Sequence, residues 1–205
     1  MISISAENSQ PIPLLPFPKQ NWAHSTCTLD ELSNALSDPF ITAIEADIVM
    51  GYDENDDDSS QIQPIMAHPP STISDLSFQS FLAMVQGLNY QDRTATSTRA
   101  GKNPWTIKKH LKLDFKGIET VAPVFDILSK SMARNNSSIE SNTGADQVEE
   151  KTIYLNADII NGPGLRNESL SVPSDEFLKL CLAFLKNDLR RQKQVNISIA
   201  LGLIQ

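Results

Sequence analysis

Three stretches of this chain alternate apolar and polar residues with a period of two: Ile44-Glu45-Ala46-Asp47-Ile48, Leu111-Lys112-Leu113-Asp114-Phe115-Lys116 and Tyr154-Leu155-Asn156-Ala157-Asp158-Ile159. Side chains two apart on a strand point to one face. Read as strands, the stretches set polar rows against apolar ones: Glu45 with Asp47, Lys112 with Asp114 and Lys116, Asn156 with Asp158. A buried carboxylate is strongly unfavourable unless a cation, a hydrogen bond or water accompanies it. Polar rows on several strands that face one place therefore describe a polar site at the mouth of a barrel.

The rest of the chain supplies the connections. Asn21 to His24 reads as a short strand. A helix then carries Leu29, Leu32 and Leu36, with Ser25, Thr26 or Thr28 as its cap, and Asp38-Pro39 stops it. Phe40 to Met50 and Ile62 to Ala67 are strands. Ser74 opens a second helix with Leu76, Phe78, Phe81, Leu82 and Val85 on its core side. His110 to Phe115 is a strand that starts at the surface. Ile118 to Met132 is a helix that takes Pro123 in its first turns. Thr152 to Ile160, a helix from Ser174 to Asp188 with Cys181 buried, and a strand from Val195 to Leu203 complete the order. Residues 53–60 read as a solvated acidic loop without the spacing of a calcium loop. Residues 91–104 and 134–150 read as polar connections, and Asn161-Gly162-Pro163-Gly164 as a turn. Strands alternating with helices predict a parallel α/β sheet, either a barrel or a doubly wound sheet. Neither GxGxxG after the first strand nor GxxxxGK[ST] is present, which removes the main support for nucleotide binding.

At 205 residues the chain fits one domain, expected over 21–205 after an irregular proline-rich segment at 1–20. A formal net charge of −8 argues against nucleic acid or an anionic membrane as a general partner, although Lys112 and Lys116 leave room for a local cationic site. Two cysteines, Cys27 and Cys181, make neither a zinc cluster nor a disulfide framework. The N-terminus lacks the pattern of a secretory signal, and no apolar run approaches the ~18 residues needed to span a bilayer. A cytoplasmic location is the default, and the sequons at Asn135, Asn136, Asn167 and Asn196 then carry no sugar.

Together with Asn21-Trp22-Ala23-His24 and Pro64-Ile65-Met66-Ala67-His68-Pro69-Pro70, the three alternating stretches resemble, in order, the menorin family, a branch of the glycerophosphodiester-phosphodiesterase-like (β/α)8 barrels. The resemblance implies a metal-dependent phosphodiesterase-type hydrolase. His24 and His68 would be its acid/base pair, flanking the carboxylates from opposite sides. Glu45, Asp47 and Asp114 would hold one Mg²⁺ or Ca²⁺, and Lys116 would offset phosphate charge. Trp22, Lys112, Asn156 and Asp158 would line the substrate side, facing a small phosphorylated ligand. Some family members act in cell-surface recognition, so a secreted location and a non-catalytic binding or signalling module are the alternatives. A full barrel has eight strands in about 250 residues. The six expected here imply a barrel truncated or incomplete near the C-terminus.

Plainer readings stand beside each of these. Glu45 and Asp47 also read as a hydrogen-bonding pair, and Asp114 as part of a salt-bridge network with its lysines. Asn156 and Asp158 also suit a turn cap, Trp22 core packing and His68 a loop.

Overall fold

The computed structural model describes residues 20–56, 61–87, 107, 109–133, 151–161, 172–188 and 196–204. Its strands are β1 (Trp22–Ala23), β2 (Ala43–Asp53), β3 (Gln63–Met66), β4 (Ile73–Ser74), β5 (His110–Phe115), β6 (Thr152–Asn161) and β7 (Asn196–Ile204). The helices are α1 (Leu29–Ser37), α2 (Phe78–Val85), α3 (Ile118–Ala133) and α4 (Ser174–Asp188). None of the described helices is long and apolar enough to cross a membrane.

Local chemistry explains the helix ends. Thr28 caps α1: its side chain accepts the Glu31 N–H at 3.2 Å, and the Glu31 carboxylate accepts the N–H of Thr28 at 3.0 Å and of Cys27 at 2.8 Å. This reciprocal box satisfies donors that the first helical turn leaves unpaired. At the other end Pro39 excludes the helical conformation for Asp38, which is extended at φ −77°, ψ 115°. The N-cap of α2 is Ser77, not Ser74. Ser74 lies in β4, where its hydroxyl accepts the Leu76 N–H at 3.0 Å and donates to the Cys27 carbonyl at 3.1 Å.

Parallel strands form one path in the order β1-β2-β5-β6-β7, which is also their order along the chain. A doubly wound sheet reverses its strand order at a switch point; this path does not reverse. Ile44, Ala46 and Ile48 of β2, Leu111, Leu113 and Phe115 of β5, and Ile153, Leu155 and Ala157 of β6 share one apolar core with all four helices. That core includes Leu32 from α1, Phe78 and Phe81 from α2, Leu128 from α3, and Phe177 and Cys181 from α4. The helices therefore cover a single face of the sheet, and the polar rows occupy the other. Among the described residues β7 does not pair with β1, so the sheet is open there.

Two expectations about strands change. The expected stave at Ile62 to Ala67 is β3, which runs antiparallel to β2, with Ile48 opposite Met66 and Gly51 opposite Gln63. The sequence reading also contained no β4, whose Ile73 and Ser74 pair in parallel with Tyr52 and Asp53. The cause is the length of β2. It runs for 11 residues, whereas β1 pairs only with Ala43 and Ile44, and the remaining backbone needs partners. Gly51 makes the ribbon fit, because a Cβ there would collide with the Thr72 carbonyl oxygen. His110, expected at the surface, is buried at 7% exposure, and its Nδ1 accepts the Thr152 N–H at 3.1 Å. The expected connections at 91–104 and 134–150 and the turn at 162–164 lie outside the described residues.

Candidate functional site

Strand register converts the alternating stretches into layers. Glu45 of β2 lies opposite Lys112 of β5, which lies opposite Tyr154 of β6. Two residues further on, Asp47, Asp114 and Asn156 stand side by side. Groups paired across parallel strands are close enough to interact directly.

In the first layer Glu45 is divided between two partners. Its Oε1 accepts from Lys112 Nζ at 2.6 Å, and its Oε2 pairs with His24 Nδ1. Burial alone pushes this carboxyl up, but Lys112 and His24 together hold it below the usual glutamate range. Trp22 and Tyr154 meet above the same layer, with ring centroids 6.1 Å apart.

The second layer is more deeply buried: Asp47 is 3% exposed, Asp114 5% and Asn156 3%. Lys116, just beyond β5, places its Nζ 2.8 Å from Asp114 Oδ2, 3.1 Å from Asp47 Oδ1 and 3.8 Å from Asp158 Oδ2. Asn156 Nδ2 donates to the other oxygen of Asp114, Oδ1, at 2.7 Å. One ammonium does not neutralise three carboxylates. Burial pushes Asp47 and Asp158 above the usual aspartate range, and the Asp114 charge raises both further against the pull of Lys116.

The histidines approach on loops. His24 follows β1, and the residues after it are clamped from several directions. The Thr26 N–H donates to the Glu45 carbonyl at 2.9 Å, Ser74 holds the Cys27 carbonyl, and Asp75 Oδ1 accepts the Leu29 N–H at 3.1 Å. Ser25 takes a left-handed φ of 48°, uncommon for a non-glycine residue, and turns the chain immediately after His24. His68 follows β3. Its Nδ1 lies 2.7 Å from the Pro69 carbonyl, and the N–H of the preceding Ala67 donates to the Asp47 carbonyl at 3.1 Å. A carbonyl oxygen only accepts, so His68 carries its proton on Nδ1 in this pairing and presents Nε2 outward.

Register, hydrogen bonds and ring contacts bring Trp22, His24, Glu45, Asp47, Lys112, Asp114, Lys116, Asn156 and Asp158 to one face or its rim, while the His68 imidazole contacts the Pro69 carbonyl. Asn156 and Lys112, expected to face substrate, are engaged by Asp114 and Glu45. Among the described residues, no group of three or more His, Cys, Asp or Glu side chains has metal-holding geometry. Glu45 turns to Lys112 and His24, while Asp47 and Asp114 turn to Lys116. Sequence reasoning missed Cys27, whose thiol points at Asp47 Oδ2 from 4.0 Å and is pushed up to about 11, chiefly by burial. Its position three residues after His24 was the available signal. Tyr154 was also missed, although it continues the period-two row of Asn156 and Asp158.

The family model of the Menorin N-terminal domain matches residues 18–189 of the chain. Human Protein FAM151B is 28% identical over 163 residues, an alignment that covers 80% of this chain and 45% of that protein. The chain therefore spans less than half the length of that curated relative. No solved structure matches. The family match takes in every element from β1 to α4, including both carboxylate layers and both histidine loops, and the chain belongs to the menorin family.

Proposed function

We propose that this menorin-family chain forms a (β/α)-barrel-type site of the glycerophosphodiester-phosphodiesterase kind, and that the site hydrolyses phosphodiesters with one divalent cation. The observation that carries this reading is the pair of carboxylate layers at matched register with a histidine loop at each: His24 on Glu45, and His68 directly after Ala67, whose N–H donates to the Asp47 carbonyl at 3.1 Å. The barrel reading rests on parallel strands in chain order with helices on one face only. The Trp22–Tyr154 contact supports it as well. Those residues lie on strands three apart, about 14 Å in a flat sheet at ~4.8 Å per strand. Rings 6.1 Å apart call for a sheet curled toward its polar face, or for rings lying flat across it.

The donor set suits a cation by its chemistry. Glu45, Asp47, Asp114 and Asp158 are four carboxylates against the ammonium groups of Lys112 and Lys116, which leaves two negative charges unbalanced with neutral histidines. Carboxylate oxygens favour Mg²⁺ or Ca²⁺. Asp47 and Asp114 would hold the ion, joined by Glu45 on release from its present partners. When bound, it would supply positive charge to a phosphoryl oxygen.

The protein's own groups would do the rest. Glu45 fixes His24 through Nδ1 and leaves Nε2 free to exchange a proton. His68, anchored through Nδ1 on the Pro69 carbonyl, offers its Nε2 in the same way. One neutral imidazole takes the proton from the attacking hydroxyl, of water or of the substrate itself, and the other, protonated, gives one to the leaving oxygen. Lys116 offsets charge on the phosphoryl oxygens. Trp22 and Tyr154 form an apolar wall beside Glu45.

The test is turnover of bis-nitrophenyl phosphate with Mg²⁺ or Ca²⁺. His24→Ala and His68→Ala should each lower kcat about 10²-fold or more, the ordinary scale for loss of a general acid or base. Undiminished turnover in both variants overturns the reading. A second reading, a pocket that binds a phosphorylated ligand without turnover, draws on the internal pairing of the site. Among the described residues no buried side-chain polar atom lacks a partner. Phosphate binding that is equally tight in both histidine variants, without turnover in the wild type, would select it.

A further inference from the structure

We propose that Asn156 is a positioning residue that fixes the rotation of the Asp114 carboxylate, a role that rests on the cation-assisted reading above. Asn156 lies directly opposite Asp114 in the β5–β6 register, so its short side chain reaches the carboxylate without leaving its own strand. Its Nδ2 donates to Oδ1 at 2.7 Å, and both residues are shielded from water. Lys116 takes Oδ2 at 2.8 Å. With a different donor on each oxygen, the carboxylate plane cannot turn, and Oδ2 stays on the side shared with Asp47. That is the side on which an incoming cation, or a phosphate drawn to Lys116, would be met.

The identity of the residue matters as much as its place. An aspartate at 156 would match its shape but set a third carboxylate in the row of Asp47 and Asp114, with an acceptor facing an acceptor at 2.7 Å. Leucine would keep the branched shape and abandon Oδ1 in a buried place. The asparagine amide is neutral, a donor, and long enough to reach Oδ1 from its own strand. The amide therefore aligns a carboxylate without altering the charge of the site, as outer-shell partners of metal ligands commonly do.

The experiment is a double-mutant cycle on Mg²⁺ and Ca²⁺ affinity, measured by calorimetry in the wild type, Asn156→Leu, Asp114→Ala and the double variant. Asn156→Leu should weaken the cation about 10-fold in the wild-type background, the scale for losing such a partner. It should change affinity little once Asp114 has lost its carboxylate. Equal losses in both backgrounds would mean a general structural role and would overturn the assignment. A second arm needs no cation. The Asn156 side-chain amide protons, followed by ¹⁵N NMR exchange, should be protected in the wild type and unprotected in Asp114→Ala. Unprotected protons in the wild type overturn the positioning role. Protected protons in a protein that binds neither cation uphold the contact and overturn the cation reading alone.

Discussion

Lys116 is the residue on which the buried layer depends, because a single Nζ meets carboxylates from β2, β5 and β6. Removing one partner from a buried ion cluster leaves charge that neither water nor protein compensates, at a cost of about 3–5 kcal/mol. Lys116→Met should therefore lower the thermal midpoint clearly in a chelator. If Asp47 and Asp114 hold a divalent ion, Mg²⁺ or Ca²⁺ should restore much of the loss, since the ion would replace the missing positive charge. Thermal scans with and without the ion decide, and a variant indifferent to divalent cations would count against those ligands. Glu45→Gln makes a complementary case. The amide keeps the shape but surrenders the charge that steadies His24 and Lys112, so turnover should fall with little loss of fold. At this scale the sequence shows which side chains share a face, because period-two alternation is a property of the strand itself. It does not show who pairs with whom. That Lys116 spans three carboxylates, or that Cys27 leans on Asp47, depends on register and loop path, which no local pattern encodes.

Among the elements, legibility followed the strength of the local signal. The bounds of β5 and α4 were readable to the residue, since a polar–apolar alternation and a serine before an acidic first turn mark them. The β3–β4 ribbon was not. Ile62 to Ala67 carries the same apolar signal whether it pairs parallel or antiparallel, and two-residue β4 is shorter than any periodicity. Yet this ribbon reaches the site. β4 pairs with the end of β2, and the residues at its end, Ser74 and Asp75, hold the Cys27 carbonyl and the Leu29 N–H of the loop that follows His24. Gly51→Ala should expose the linkage. Its methyl group meets the Thr72 carbonyl, so β4 must shift, at the ~1–3 kcal/mol typical of overpacking. Hydrogen exchange should then quicken at the Tyr52 N–H, which donates to Thr72, and also at the Leu29 N–H on the far side of the ribbon. Faster exchange at Tyr52 alone would show that the ribbon does not support the His24 loop.

For the whole molecule, alternation of strand and helix predicted the α/β class and the mostly parallel sheet, while the strand order itself, which follows the chain without reversing, came only with the structure. Placing the described helices on one face gathers the polar rows on the other, and this has a measurable consequence for stability in the cation-free protein. Glu45 titrates below its usual value of 4.5 in the folded state, so it stabilises the fold above that pH, and the contribution is lost as pH falls through the lower folded value. Asp47 and Asp158 titrate above their usual 3.8, which has the opposite sign: ionised at neutral pH they oppose folding, and that penalty disappears as pH falls through the raised values toward 3.8. The two windows separate in variants. Relative to Asp47→Asn, the wild type should gain stability on acidification from neutrality toward pH 3.8. Relative to Glu45→Gln, it should hold its advantage to pH 4.5 and lose it only below. Urea midpoints across this range, taken in a chelator, test both signs at once. A wild type that only loses ground to Asp47→Asn on acidification would mean that Lys116 already balances the buried layer. The excess negative charge from which a divalent cation was inferred would then not exist.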